Sequence, residues 1–183
     1  MKILVFTPAE DASAQVCDVQ LYPASSVIKT NRALFLPELG AMSIRAALVA
    51  RLGRMGKRIA PRFAMRYVDA VTVGFVLSPV EAVIDPTVRC FDGALPCGVM
   101  TTHDFESQGE PAMEWSNGDQ RWTQLCRPAG QWLSDVIASA SRHMTLNTGD
   151  MLYLASEQAQ PVNCGDVLHG SYEGTNVLTI RVK

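Results

Sequence analysis

The stretch GKRIAPRFAMRYVDAVTVG, residues 56–74, joins a helical apolar spacing directly to a strand. From Ile59 to Tyr67 the large apolar side chains recur every four residues, which predicts a helix over Arg58–Tyr67. The valine-rich half that follows predicts a strand over Ala70–Leu77. A helix that runs straight into a strand, with no regular alternation of strands and helices elsewhere, argues against a doubly wound sheet.

Most of the remaining chain is also predicted to form strands. The last two predicted strands flank Glu173–Asn176, which suits a hairpin turn, and Asn117-Gly118 suits another. A second helix is predicted over Ala129–His143, where apolar residues form one stripe. We therefore expect an α+β fold that is mostly β. The other predicted strands are Lys2–Phe6, Leu34–Pro37, Ala46–Leu52, Met151–Leu154, Val167–Tyr172 and Val177–Val182.

Length and composition exclude several classes of protein. The 183 residues suit one domain, residues 1–183, and the 48% apolar and 19% charged content excludes a disordered chain. A formal net charge of −2 argues against a uniformly basic nucleic-acid-binding protein. The apolar runs are far shorter than the roughly 18 residues of a membrane helix. The N-terminal run is also shorter than the roughly 7–15 residues of a signal-peptide core, so we expect a cytoplasmic protein with no membrane contact.

The cysteines and histidines form no motif for catalysis or metal binding. The five cysteines include no CxxC pair, so we expect reduced thiols rather than disulfides or zinc ligands. The histidines are far apart in the sequence and are expected on the surface or at caps. Asp92 and Asp150 each adjoin a glycine, which predicts structural roles in turns. The cysteines are at positions 17, 90, 97, 126 and 164, and the histidines are His103, His143 and His169.

Basic residues are concentrated between positions 29 and 66, where Glu38 is the single acid. Such a stretch suits an anion site or a nucleic-acid surface. It also suits a solvated face that the acidic stretch Asp104–Asp119 balances in space. Because no aromatic residues interleave the basic ones as in a single-strand platform, we favour the solvated face and expect no nucleic-acid partner. The basic residues are Lys29, Arg32, Arg45, Arg51, Arg54, Lys57, Arg58, Arg62 and Arg66.

Five stretches, in this order along the chain, together resemble the fumarylacetoacetate hydrolase family, in particular its short, single-domain bacterial branch. The more specific features are the GK-x-I to V-T-V-G segment and the paired T-G-D and C-G-D motifs near the C-terminus. The stretches are SSVIKTNRALFLPELG (25–40), GKRIAPRFAMRYVDAVTVG (56–74), RCFDGALPCG (89–98), SRHMTLNTGDMLYL (141–154) and VNCGDVLHGSYEG (162–174).

The resemblance implies a mixed β-sheet roll with a few peripheral helices, assembled as a homodimer. It further implies hydrolysis, decarboxylation, hydration or isomerisation of 2-keto or 2,4-diketo acids. Active members of the family use Mg²⁺ or Mn²⁺, held by a Glu-x-Glu pair on one strand and by a later Asp. Such a hard cation takes oxygen ligands, chelates the keto-carboxylate and stabilises the enolate that forms in the reaction.

This chain departs from the family's pattern at each of those ligands. The Glu-x-Glu pair aligns with Arg45 and Ala47, and the later Asp aligns with Val76. A ligand set worth about −3 in formal charge is thereby replaced by one positive charge, which repels a divalent cation. We therefore expect no metal or other cofactor in this protein.

Three further positions extend the departure. The family's Lys before Phe-Asp-Gly is Arg89, which keeps the charge but cannot act as a base. The substrate-binding Thr-Gly-Thr-Pro loop becomes Leu154–Glu157, which includes Ser156. The family's Asp-Phe-Thr-Ala-Arg-Asp becomes Val76–Glu81, in which Pro79 alters the backbone.

The leading hypothesis is a catalytically degenerate protein of this fold, with a structural role or a role in binding a small acid or a partner. The alternative is a metal-free enzyme that acts on a small 2-keto or diketo acid and uses Arg45 and Arg89 as an electrostatic clamp. Arg45 either takes the place of the missing cation or points to solvent or pairs with an acid such as Glu81. The candidate cleft comprises Arg45, Ala47, Val76, Glu81, Arg89 and Ser156.

Overall fold

A computed structural model of the chain describes residues 1–8, 17–81, 86–123, 125 and 127–183. Short 3₁₀ helices cover Ala24–Ser26, Pro61–Tyr67 and Pro86–Cys90, and α1 covers Ala129–His143. The strands are β1 (Ile3–Pro8), β2 (Cys17–Tyr22), β3 (Val27–Lys29), β4 (Arg32–Leu34), β5 (Met42–Leu52), β6 (Val68–Pro79), β7 (Leu95–Cys97), β8 (Met113–Asn117), β9 (Gln120–Trp122), β10 (Met151–Val162), β11 (Val167–Tyr172) and β12 (Thr175–Val182).

The strands form two mixed sheets. A seven-stranded sheet has the order β2-β1-β10-β5-β6-β7-β3, and a five-stranded sheet has the order β4-β12-β11-β8-β9. Three pairs are parallel, namely β1 with β10, β3 with β7 and β4 with β12, while the central pair β5 and β6 is antiparallel. The prediction of an α+β fold that is mostly β is confirmed.

One face of the seven-stranded sheet packs against the five-stranded sheet and α1. Along β6, Val71, Val73, Phe75 and Leu77 alternate into this main core, as the two-residue period of a strand requires. The apolar stripe of α1, centred on Trp132, packs into the same core, which explains why the helix was predictable from its sequence.

The other face of the seven-stranded sheet closes around a second core, which we call the roll interior. Tyr22 on the edge strand β2 and Leu95 near the opposite edge share this core, so the sheet is rolled. The thiol of Cys90 lies 3.8 Å from the carbonyl oxygen of Leu21, which ties the 3₁₀ helix Pro86–Cys90 to the edge strand β2. Val5, Val49, Ala47 and Tyr153 fill the roll interior from the strands between them.

Gly74 occupies a position in the roll interior that a larger residue cannot take. A Cβ at this position would lie 2.6 Å from Val49 Cγ2 and 2.7 Å from the carbonyl oxygen of Pro96. The ring of Tyr153 lies next to the same point, at 3.2 Å. The glycine of the V-T-V-G segment therefore allows the neighbouring strands to pack closely.

The T-G-D and C-G-D motifs form two turns of the same design. Gly149 and Gly165 both have positive φ, at 84° and 97°. In each turn the aspartate, Asp150 or Asp166, accepts a hydrogen bond from the backbone N–H of the asparagine three residues earlier, at 2.8 and 3.0 Å. The turns lead into β10 and β11, so the paired motifs are strand-entry turns. The predicted structural role of Asp150 follows from this contact.

The predicted helix over Arg58–Tyr67 is wrong in its type and its start. Arg58 has a left-handed φ of 55°, and its N–H donates to the carbonyl oxygen of Ser141, 2.7 Å away. The Ile59 N–H donates to Ser141 Oγ at 2.9 Å. These bonds tie the segment to α1 in a non-helical conformation, and the 3₁₀ helix begins only at Pro61.

Candidate functional site

The strands that surround the roll interior change from apolar to polar at one end, where they form a cleft. On β5 the inward residues are Val49 and Ala47 at depth and then Arg45 and Ser43 at the mouth. The cleft has a volume of about 570 Å³. Its described polar lining comes from five strands and the 3₁₀ helix Pro86–Cys90, and comprises Thr7, Asp18, Gln20, Tyr22, Ser43, Arg45, Ser78, Arg89 and Gln160.

Arg45 lines the cleft and lies opposite Val76 on β6 and Ala159 on β10. The register of β10 shifts between Ala155 and Ala159, which forms a bulge beside Arg45. The guanidinium donates to the carbonyl oxygen of Ser156 at 3.2 Å and also to that of Glu157. It therefore satisfies bulge carbonyls that the ladder leaves without strand partners.

Arg89 brings a second positive charge to the same cleft from the 3₁₀ helix Pro86–Cys90. It is half-buried beside Tyr22. Burial raises the pKa of Tyr22 to about 12, the nearby Cys90 adds to the rise, and Arg89 opposes it. Tyr22 is therefore a neutral phenol at physiological pH, and its hydroxyl donates to Gln20 Oε1 at 3.3 Å.

The described residues of the cleft do not suit a divalent metal ion. Asp18 is the one carboxylate in the described lining, which also carries the two guanidinium groups. Ala47 and Val76 are buried apolar side chains with no donor atoms. Over the part of the chain that the structure describes, no three His, Cys, Asp or Glu side chains are grouped as metal ligands. The chemistry of these side chains favours an anion over a cation at this site.

The structure brings together three of the six predicted cleft residues, Arg45, Val76 and Arg89. Ala47 lies deeper in the roll interior, fully buried between its strand partners Gly74 and Ala155. The other two positions are separate from the cleft lining.

Ser156 and Glu81 do not line the cleft. Ser156 borders a different depression, beside Trp122 on β9, and its hydroxyl donates to the carbonyl oxygen of Gln158 at 3.2 Å. Glu81 is exposed beyond the end of β6. The Ser156 side chain faces away from the roll interior because strand alternation puts Ala155, the residue before it, inside, although the Ser156 carbonyl oxygen contacts Arg45.

Sequence reasoning missed the residues that β2 contributes, Asp18, Gln20 and Tyr22. Their spacing of two along CDVQLY is the alternation of a strand with one polar face, and this signal could have identified them. β2 was overlooked because its inward face is polar where it borders the cleft.

No described helix is long and apolar enough to span a membrane.

Comparison with solved structures shows which fold this is. A fumarylpyruvate hydrolase from Pseudomonas aeruginosa, solved with Mn²⁺ and pyruvate, superposes with a TM-score of 0.83 at 17% identity, over 100% of this chain and 89% of that chain. A 5-carboxymethyl-2-hydroxymuconate delta-isomerase from Mycobacterium smegmatis gives 0.79 at 19% identity, over 99% and 78%. A candidate fumarylacetoacetate hydrolase family protein from Yersinia pestis CO92 gives 0.81 at 16% identity, over 100% and 92%.

By sequence alone, no profile of a protein family and no curated protein matches the chain. The structural similarity nevertheless extends over the whole chain and confirms the predicted fold, a mixed β-sheet roll of the fumarylacetoacetate hydrolase type with a few peripheral helices.

Proposed function

We propose that this chain is a member of the fumarylacetoacetate hydrolase family whose cleft binds a small organic anion without a divalent metal ion. The fold and the five sequence stretches in family order support the membership. The observation that carries the binding function is the meeting of Arg45 and Arg89, which are distant in sequence, in one cleft.

The charge and shape of the cleft support an anionic ligand. Two guanidinium groups face one described carboxylate, so the described lining has a net positive charge. Arg89 is half-buried, and partial burial strengthens a charge-assisted bond to a carboxylate. The hydroxyl and amide groups around it, on Ser43, Gln20 and Gln160, suit the other oxygens of a small carboxylic acid.

The same side chains argue against the metal-dependent reaction of the family. That reaction needs a cation to hold a keto-carboxylate and stabilise the enolate. Arg45 can stabilise negative charge, but its guanidinium is committed in part to the bulge carbonyls of Ser156 and Glu157. Arg89 cannot take up a proton as a lysine base would. We therefore propose a protein that binds an organic acid and does not turn it over by metal catalysis.

Isothermal titration calorimetry tests this proposal. The purified protein is titrated with pyruvate, oxalate and malonate, first in the presence of EDTA and then in the presence of Mn²⁺. We expect binding that EDTA leaves unchanged and that Arg89→Met weakens by about tenfold, the effect of losing one charge-assisted hydrogen bond. The control Arg121→Met removes the same charge from an exposed site on β9, where Arg121 is paired with Glu114, and leaves binding unchanged.

Three results would contradict the proposal. The first is binding that requires Mn²⁺, and the second is equal weakening by Arg89→Met and Arg121→Met. The third is the absence of heat with every acid tested. If the protein turned over an acylpyruvate or oxaloacetate in the presence of EDTA, the cleft would still be the site. Its function would then be metal-free catalysis rather than binding.

A further inference from the structure

An exposed basic surface, separate from the cleft, lies on the loop before β6 and on the 3₁₀ helix Pro61–Tyr67. We call it the basic patch and define it by Arg54, Lys57, Arg58, Arg62, Phe63 and Arg66, all of them exposed. These residues belong to the segment that carries the GK-x-I motif. The proposed function assigns no role to this segment.

The fold gathers these side chains onto one surface. The Gly53 N–H donates to the carbonyl oxygen of Tyr67 at 2.8 Å, so the loop folds back against the end of the 3₁₀ helix. Gly56 packs directly on the Tyr67 ring, where a Cβ would lie 2.4 Å from Cε1. The bond from Arg58 N to Ser141 O brings the exposed Arg142 and His143, at the end of α1, next to the patch. The positive surface is therefore wider than the sequence stretch that begins it.

Phe63 gives the patch an exposed aromatic ring. Its side chain is 38% exposed, although burial would be the ordinary place for a phenylalanine. The guanidinium carbons of Arg62 and Arg66 lie 4.7 and 5.0 Å from the centre of the ring. The expectation from sequence that no aromatic residue interleaves the basic ones is therefore wrong, because Phe63 stands between two arginines that stack on it.

The patch residues form no ion pair among the described residues, although Arg66 borders a depression together with Asp104 and Glu106. Ion pairs among the described residues join Lys2 to Asp150, Arg51 to Asp69 and Arg121 to Glu114, and none of them includes a patch residue. The patch carries five positive charges in a chain whose formal net charge is −2, so the rest of the chain carries −7. Such a local concentration of positive charge attracts anionic partners.

We infer that the basic patch binds single-stranded nucleic acid. Its cations can contact phosphates, and the guanidinium planes of Arg62 and Arg66, supported by the Phe63 ring beneath them, offer stacking surfaces for a base. A run of Asp and Glu side chains would use the same charges but brings no base to stack on these planar groups. The aromatic contact therefore favours nucleic acid over an acidic protein. This surface is independent of the cleft and of its proposed ligand.

Fluorescence anisotropy with short labelled oligo(dT) and oligo(rU), measured over a series of salt concentrations, tests the inference. We expect binding at low salt that weakens steeply as salt rises, since cations are released from the phosphates. Phe63→Leu keeps an apolar side chain but removes the ring, and should weaken binding about tenfold with little change in the salt slope. Arg62→Gln/Arg66→Gln should weaken binding and flatten the slope.

The matched control is Arg32→Gln/Arg181→Gln, which removes the same charge from exposed arginines on the five-stranded sheet and should leave binding unchanged. The inference is overturned by the absence of binding at low salt or by equal weakening in the control. It is also overturned if polyglutamate displaces the oligonucleotide at equal charge concentration, which would assign the patch to an acidic protein. Should Phe63→Leu fail to fold, as judged by its melting curve, the arginine pair and its control still decide the question.

Discussion

The guanidinium of Arg45 lies 3.2 Å from the carbonyl oxygen of Ser156, so a side chain of β5 is bonded to the backbone of the bulge in β10. The family resemblance aligns this same position with a metal-binding glutamate. A permanent cation therefore stands where a carboxylate and its metal ion are expected, and it holds the neighbouring strand as well as lining the cleft.

Replacing Arg45 with methionine should destabilise the protein by about 1–3 kcal/mol, because bulge carbonyls lose a charged hydrogen-bond donor. Urea unfolding followed by circular dichroism measures this change. Arg121→Met, on the exposed face of β9, is the control and should change the free energy of unfolding by less than about 0.5 kcal/mol. An equally small effect at Arg45 would show that the bulge does not depend on its guanidinium.

The triple variant Arg45→Glu/Ala47→Glu/Val76→Asp should gain a metal site. Arg45 and Val76 are direct partners across β5 and β6, and Ala47 is two residues along β5, so the three new carboxylates would face one point. We expect Mn²⁺ to raise the melting temperature of this variant and to leave that of the wild type unchanged. Without metal the variant should be less stable than the wild type, since its buried carboxylates repel one another.

The uncharged triple variant Arg45→Gln/Ala47→Gln/Val76→Asn has nearly the same shape and is the control for that experiment. It should show no stabilisation by Mn²⁺. Equal stabilisation of both triple variants, or of the wild type, would contradict the placement of the ligand positions.

Thr72→Val should leave the protein as stable as the wild type or stabilise it by about 1 kcal/mol. The Thr72 hydroxyl is fully buried beside the roll interior and has no hydrogen-bond partner among the described residues. Valine has a similar shape and removes the cost of burying that hydroxyl. Thr72→Ser keeps the hydroxyl and loses the methyl group, so it should be destabilised, and the two melting temperatures should move apart. A destabilised Thr72→Val would mean that the hydroxyl has a partner.

Gly74→Ala should destabilise the protein by about 1–3 kcal/mol through overpacking. The added Cβ has no room between Val49 and the Pro96 carbonyl oxygen, and that oxygen belongs to backbone that cannot move easily. Chemical denaturation quantifies the loss. The comparison variant is Gly109→Ala, in a loop where no atom lies within 4 Å of the added Cβ. It adds backbone strain because Gly109 has a positive φ, but no crowding, so the two variants separate the effect of crowding on stability.

The Asp150 carboxylate should make stability depend on pH in the acid range. Burial raises the pKa of this carboxylate. Its contacts lower the pKa by more: it accepts hydrogen bonds from the Lys2 N–H at 2.7 Å and the Asn147 N–H at 2.8 Å, and the Lys2 ammonium lies 2.6 Å away. The pKa of Asp150 is therefore below its ordinary value. The stabilisation is present above the unfolded-state pKa of about 3.9 and is lost as the pH falls through the folded-state value.

Asp150→Asn should therefore lower the free energy of unfolding at neutral pH and flatten its dependence below about pH 4. Denaturant unfolding at several pH values measures both effects. Asp166→Asn, at the equivalent place in the second turn, provides the comparison. A wild type whose stability is constant across this acid range would contradict the assignment.

The parts of the fold that were predictable from sequence have local signals. The stripe of α1 gave both ends of that helix correctly, and the alternation over Val167–Tyr172 gave β11. The strands β3 and β7 have only three residues each and pair in parallel across a long separation, so no local pattern identifies them. The homodimer and the cytoplasmic location remain predictions.

The cleft was less predictable because its residues come from distant parts of the chain. Arg45 and Val76 lie side by side because one antiparallel register relates them. Tyr22 and Arg89 meet only when the sheet rolls and its edges approach, which is a property of the whole sheet. The Ser156 side chain faces away from the cleft because strand alternation puts Ala155, the residue before it, on the side of the roll interior.

The strands around the roll interior change from apolar to polar side chains along their length, so each strand has two parts. The deeper, apolar residues stabilise the rolled sheet, and the outer, polar residues set the charge and hydrogen-bonding groups of the cleft. Substitutions at the outer positions can therefore change the charge of the cleft without disturbing the packing of the deeper ones. This division agrees with a chain that shares 17% identity with a manganese-bound hydrolase and superposes on it with a TM-score of 0.83.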